Sequence, residues 1–130
     1  MSIFNAIGVA GTGVTVYRKW LDAVADNIAN VNTTSRTSEN AFQARYVQAQ
    51  AAQDGNGAQV GGIHYGSAEG ILAYEPDNPL ADAEGYVRRP DIDMGSQMAQ
   101  MMMAQRSYQA NLSVVDRARD SYTAAINLGK

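Results

Sequence analysis

Three asparagines fall within six residues in Asp26-Asn27-Ile28-Ala29-Asn30-Val31-Asn32-Thr33-Thr34. Carboxamides at that density can ligate, accept a glycan or close a helix. Asn32-Thr33-Thr34 and Asn111-Leu112-Ser113 both fit the glycan acceptor pattern. That pattern is short, and Asn111 falls inside an expected helix, so both are read as accidental. Asn27 is expected within a helix, with Asn30 and Asn32 flanking its end. There an Asn tolerates left-handed backbone and can bond free carbonyls. Its neutral amide also offers two-way hydrogen bonding to neighbouring helices.

The other chemical candidates are thin. His64 is the single histidine, and no Ser-His-Asp or paired-His arrangement can be built around it. Asp91-Ile92-Asp93-Met94-Gly95 resembles half a calcium loop, but the third acid and the closing Glu are missing. Asp93 suits a helix N-cap better. Met98, Met101, Met102 and Met103 have the softness for Cu(I). Met98 and Met101 fall on a helical stripe, however, and Met fills gaps between helices. Gly11-Thr12-Gly13 lacks the preceding strand and following Lys of a phosphate loop. Arg18, Lys19, Arg88, Arg89, Arg106, Arg117 and Arg119 have the charge for an acidic surface, but Arg117 and Arg119 have Asp116 and Asp120 at helical spacing, so intrahelical pairing is at least as good a reading. No catalytic residue, cofactor or metal is therefore expected. An enzyme would need a convergent set of titratable groups, and none can be assembled.

Two long elements frame these residues. Ile3, Ile7, Ala10, Val14, Tyr17, Leu21, Val24, Ile28 and Val31 alternate in steps of 4 and 3. That is a heptad seam, roughly 43 Å long as a helix. Met94, Met98, Met101, Gln105, Tyr108, Leu112, Val115, Arg119, Tyr122 and Ile126 keep the same spacing, with two polar interruptions. The spacing predicts an antiparallel coiled coil of the two ends. The fold class is mainly α with a small β insert (α+β). Three segments follow: an N-terminal helix over 1–34, a β-rich insert over 35–93 and a C-terminal helix over 94–130.

The first helix has an unusual surface. Residues 1–34 carry four charges, Arg18, Lys19, Asp22 and Asp26. A solvated helix normally shows a charged face. Gly8, Gly11 and Gly13 each cost about 1 kcal/mol against Ala. Such a helix is weak alone and suits burial among other subunits. Replacing Val24 or Ile28 by Asp is expected to abolish assembly while leaving the middle intact. In the insert, alternation around Phe42, Ala44 and Tyr46 predicts a strand over 41–51. Asp54-Gly55-Asn56-Gly57 predicts a tight turn, and Val60–Tyr65 and Ile71–Glu75 predict two short strands. Gly85-Tyr86-Val87-Arg88-Arg89-Pro90 reads as a lead into the last helix.

The chain has 130 residues, a net charge of −3 and no cysteine. That suits one domain, excludes disulfides and disfavours nucleic acid as a partner. No run reaches the roughly 18 apolar residues of a membrane span. The opening residues lack a secretory signal's basic region and apolar core.

Asp26 to Thr33 resembles the N-terminal signature of the flagellar rod, hook and hook-associated axial proteins. Tyr74-Glu75-Pro76-Asp77-Asn78-Pro79-Leu80-Ala81, Gly85-Tyr86-Val87, Pro90 and Arg106-Ser107-Tyr108-Gln109-Ala110-Asn111 are similar to motifs of its proximal-rod members. The likeness spans almost the whole chain. Two departures are an intervening Ser35–Ala41 before Phe42, and Ser96-Gln97-Met98 where the family often has an acid.

The resemblance implies a non-enzymatic axial subunit of the basal-body rod. It implies export without cleavage through the flagellar type III apparatus, then polymerisation with other rod proteins and its own copies. Ile7, Val14, Tyr17, Leu21, Val24, Asn27, Ile28, Asn30, Asn32, Met98, Met101, Tyr108, Asn111, Leu112, Val115, Tyr122 and Ile126 are the expected assembly and helix-packing residues. The alternative reading is a soluble coiled-coil adaptor that binds one partner helix.

Overall fold

The computed structural model describes residues 3–129; Met1, Ser2, Lys130 and the Ile3 side chain, with its seam position, lie outside the described residues. In chain order, two long helices flank four short strands. Helix α1 spans Ile3–Asn30 and α2 spans Met94–Leu128. Between them run β1 (Arg45–Ala51), β2 (Ala58–Tyr65), β3 (Ile71–Tyr74) and β4 (Tyr86–Arg89). The strands form two separate two-stranded sheets, β1-β2 and β3-β4. The α+β class with long terminal helices is as the sequence indicates.

The chain divides into two compact units, one of residues 1–21, 47–62 and 102–130, the other of 22–46 and 63–101. In the first unit, Phe4 meets Tyr122 edge-on at 5.1 Å between ring centroids. Gly13 abuts Asn111, whose Oδ1 would lie 2.6 Å from any added Cβ. Contacts 4 to 122 and 13 to 111 run in opposite senses, so the helices are antiparallel in this unit. Its buried side chains are small: Ala10, Val16 and Ala104. Small residues here let the helix backbones approach closely. The β1-β2 turn docks on α1, where the Ala58 N–H donates to Thr12 Oγ1 at 3.1 Å.

In the second unit, Ala23, Val24, Ala41, Ala44 and Val87 form the core. β3 and β4 pair antiparallel, from Ile71 with Arg89 to Tyr74 with Tyr86. Opposed residues share a face, so Ala73 and Val87 point inward together while Tyr74 and Tyr86 meet outside at 5.3 Å. Ser35 extends this pairing: its N–H donates to the Arg88 carbonyl, and the Arg88 N–H donates back to its own, both at 2.9 Å. Asp93 caps α2 as expected, with Oδ2 accepting from the Ser96 N–H at 2.8 Å.

Three expectations need correction. β4 occupies the segment read as a lead into α2. Its four residues hold two adjacent arginines, which hide the apolar alternation. β1 begins at Arg45, not 41. The reason is local: Ala41 and Ala44 bond instead to the 66–68 turn, through Ala41 N–H to Ala68 O and Gly66 N–H to Ala44 O, both 2.8 Å. The seam is also displaced. On α2 the inward residues are Gln97 and Met101 in one unit, and Ala104, Tyr108, Asn111, Val115 and Ala118 in the other. The 4-3 period holds, but Met98, Gln105, Leu112 and Arg119 give way to neighbours one position earlier. Alanine at 104 and 118 permits close approach. Gln105 and Arg119 stay in water, and Arg119 pairs there with Asp116 and Asp120.

Candidate assembly surface and its internal anchor

Asn27 is one of two buried polar side chains among the described residues. It is fully buried on α1, and both hydrogens of its amide are used. Nδ2 donates to the Arg45 carbonyl at 2.9 Å, and Oδ1 accepts from the Arg45 N–H at 2.8 Å. The second Nδ2 hydrogen goes to Gln97 Oε1 at 3.0 Å. The side chain therefore imitates a peptide group and holds the first residue of β1 as a strand neighbour would. Gln97, itself only 2% exposed, completes the group from α2. Each bond contributes about 1 kcal/mol net, and each would cost more if broken in place. Beside this group, Asp26 pairs with the Arg45 guanidinium at 2.6 Å across an exposed surface.

The expected helix-end role falls to Asn30, with a change of geometry. Its Nδ2 donates to the Asp26 carbonyl at 2.9 Å, and its Oδ1 accepts from Thr33 Oγ1 at 3.2 Å. No described non-glycine residue has positive φ, so the left-handed cap expected at Asn30 or Asn32 does not form. The chain leaves α1 through a Thr33 N–H to Asn30 carbonyl turn instead. Asn32 is exposed.

The other expected residues divide clearly. Val24 is buried, while Ile7, Val14, Tyr17, Leu21 and Ile28 on α1 are half-buried. Met101, Tyr108, Asn111 and Val115 on α2 are also half-buried. Asn111 donates to the Ser107 carbonyl at 2.8 Å while packing on Gly13. By contrast, Met98 is 48% exposed, Ile126 is 46%, and Leu112 and Tyr122 are similarly open. Met98, Leu112 and Ile126 do not line the intramolecular seam, whereas Tyr122 sets its ring edge-on to Phe4 of α1. The four join Met102, Met103, Val114 and Leu128 as large apolar side chains in water.

Sequence reasoning missed Gln97 and Thr12. The signal for Gln97 was present. It stands four residues before Met101 and seven before Ala104, so a polar side chain occupies a core register. Such a residue needs a buried partner.

The β3-β4 turn is held by two acids. Asp82 Oδ1 accepts from the Tyr86 N–H at 2.8 Å and the Glu84 N–H at 3.1 Å. These bonds, the Tyr86 one foremost, hold its carboxyl below the usual range against a desolvation that opposes them. Glu75 is lowered first by the Asn78 amide and then by the Arg89 guanidinium, with which it pairs. Asn78 reaches Glu75 Oε2 at 2.8 Å. Among the described residues, no three His, Cys, Asp or Glu side chains are grouped to hold a metal ion.

Comparison with known proteins gives the class. A family model described as flagellar basal body rod FlgEFG protein C-terminal matches residues 83–128. Flagellar basal-body rod protein FlgC of Salmonella typhimurium is 34% identical over the whole of both chains. FlgC of Bacillus subtilis is 27% identical, again over both full lengths. The chain belongs to the FlgC family of flagellar basal-body rod proteins.

Proposed function

We propose that the protein is a structural subunit of the flagellar basal-body rod. It polymerises with other rod proteins and with its own copies into the shaft that spans the periplasm and transmits torque. It reaches that place through the flagellar type III export apparatus. It works by packing and performs no catalysis. The observation that carries this reading is the outward set Met98, Met102, Met103, Leu112 and Ile126 on α2. Water-facing apolar side chains on one long helix are what further helices would cover. The sparse charge of α1 supports the same burial. Among the described residues no helix is long and apolar enough to cross a membrane, so the apolar face does not form a span.

The test is complementation. In a flagellated strain lacking its own copy of this gene, the wild-type chain should restore swimming and complete basal bodies. Ile126→Asp should be exported in normal amount and leave the cells non-motile, with basal bodies lacking the rod. Full swimming by Ile126→Asp would count against the reading.

A further inference from the structure

We propose that Asn56 is a site of spontaneous deamidation, which loosens the docking of the β1-β2 turn on α1. The turn contains Asp54-Gly55-Asn56-Gly57, and Asn56 is exposed at its tip. The Asn56 backbone N–H is engaged with Asp54 Oδ1 at 3.0 Å. Neither the Asn56 carboxamide nor the Gly57 N–H is held by a hydrogen bond. Nucleophile and electrophile of the reaction are thus both free. The residue after Asn56 has no side chain to shield its nitrogen.

The chemistry needs only water. The Gly57 nitrogen attacks Asn56 Cγ, and an N–Cγ bond forms. The Cγ–Nδ2 bond breaks, and ammonia leaves with the proton from Gly57. Water then opens the cyclic imide. Cleavage at Cγ gives aspartate at 56, and cleavage at the main-chain carbonyl gives isoaspartate. The fold prevents escape through position 57. Gly57 has φ +111°, and an added Cβ would overlap Thr12 Oγ1. Glycine is therefore demanded there, so the Asn-Gly pair can be removed only by replacing Asn56.

The consequence follows from the adjacent bonds. The Gly57 carbonyl accepts from the Ala52 N–H at 3.0 Å, and the Ala58 N–H donates to Thr12 Oγ1 at 3.1 Å. Isoaspartate inserts a methylene into the main chain just before these two groups. Both cannot keep their partners. Aspartate instead sets a second carboxylate beside Asp54.

The full-length chain should be incubated at neutral and mildly alkaline pH, with intact mass and peptide mapping over time. The expected result is a gain of about one dalton at Asn56, as both products, faster at higher pH. Conversion should run roughly tenfold faster than at Asn32 or Asn40, exposed asparagines whose following residues carry side chains. Asn56→Gln should abolish it. Hydrogen exchange at Ala58 should rise in step with isoaspartate. Conversion at Asn56 no faster than at Asn32 and Asn40 would overturn the proposal, as would unchanged Ala58 exchange in isoaspartate-containing protein.

Discussion

The two compact units solve stability in opposite ways. The unit of 22–46 and 63–101 closes on itself. It buries Val24, Val87, Asn27 and Gln97, and its turns are tied by Asp82, Glu75 and Ser35. The unit of 1–21, 47–62 and 102–130 buries little beyond Ala10, Val16 and Ala104, and leaves Phe4, Met103, Leu112 and Ile126 in water. A polar group buried with every partner satisfied specifies one arrangement. An apolar face without a partner specifies only that something must cover it. The unit of 22–46 and 63–101 thus has its arrangement fixed from inside by Asn27 and Gln97, although Tyr65, Leu72, Tyr74 and Met98 stay in water on its outside. Among the described residues the unit of 1–21, 47–62 and 102–130 has no such buried polar group, and that is where a polymer contact would act.

The largest expected effect is at Val24. It is buried in the self-sufficient unit, so Val24→Asp places an unpaired charge in the core. We expect a loss above about 4 kcal/mol and a chain that does not fold, seen as loss of cooperative unfolding by circular dichroism. This corrects the expectation that Val24→Asp would leave the middle segment intact, since Val24 shares its core with Ala41, Ala44 and Val87. A soluble, cooperatively folding Val24→Asp protein would show that this unit is not anchored there.

Asn27→Ala comes next. It removes the strand-like pair with Arg45 and leaves the Gln97 oxygen without its donor. Each stranded buried group costs about 1–3 kcal/mol, so a loss of about 3 kcal/mol in urea unfolding is expected. Asn27→Asp should be nearly as damaging, because a carboxylate cannot donate to the Arg45 carbonyl or to Gln97. An Asn27→Ala loss below about 1 kcal/mol would mean that the amide is dispensable.

How much of this could be read in the sequence depends on the type of interaction. Helical period is local, so both helices and their boundaries near Asn30 and Met94 were legible. Which face turns inward was legible only in part. Heptad reasoning ranks side chains by apolarity, and it chose Met98 and Leu112. The fold chose Gln97, Ala104 and Asn111, because close approach favours small residues and Gly13 leaves room for an amide. The asparagine-rich stretch was correctly located as a helix end. Its partner Arg45 lies 18 residues away and its partner Gln97 lies 70 away, separations that no local pattern encodes. β4 was hidden because Arg88 and Arg89 carry the strand's charge, and their guanidiniums are spent on Thr37, Glu69 and Glu75.

A smaller effect should appear with acid. Asp82 and Glu75 both have carboxyls held below the ordinary values of 3.8 and 4.5. A depressed folded value means that the unfolded chain binds protons first. Their contribution is complete above the unfolded values and is lost as pH falls through the lowered folded ones. The β3-β4 hairpin should therefore loosen below about pH 4, read as faster exchange at the Tyr86 N–H. Asp82→Asn should weaken this acid response, since its amide oxygen can still accept but no longer titrates. An identical acid limb in Asp82→Asn would place the dependence elsewhere.

The smallest effect on the isolated chain should come from the outward face, and it draws the sharpest line between the units. Ile126 and Leu112 are 46% and 40% exposed, so truncating either to Ala removes less buried area than truncating a core residue. Monomer stability should change by no more than about 1 kcal/mol. If these side chains meet other rod subunits, the same truncation should reduce incorporation into basal bodies, measured as the ratio of assembled to exported protein. Asn27→Ala should show the reverse order, with stability failing first and incorporation following only because less folded chain is available. An Ile126→Ala chain that loses stability in the monomer would mean the face is already occupied within the chain. One that keeps both stability and incorporation would leave the outward residues without a part in assembly.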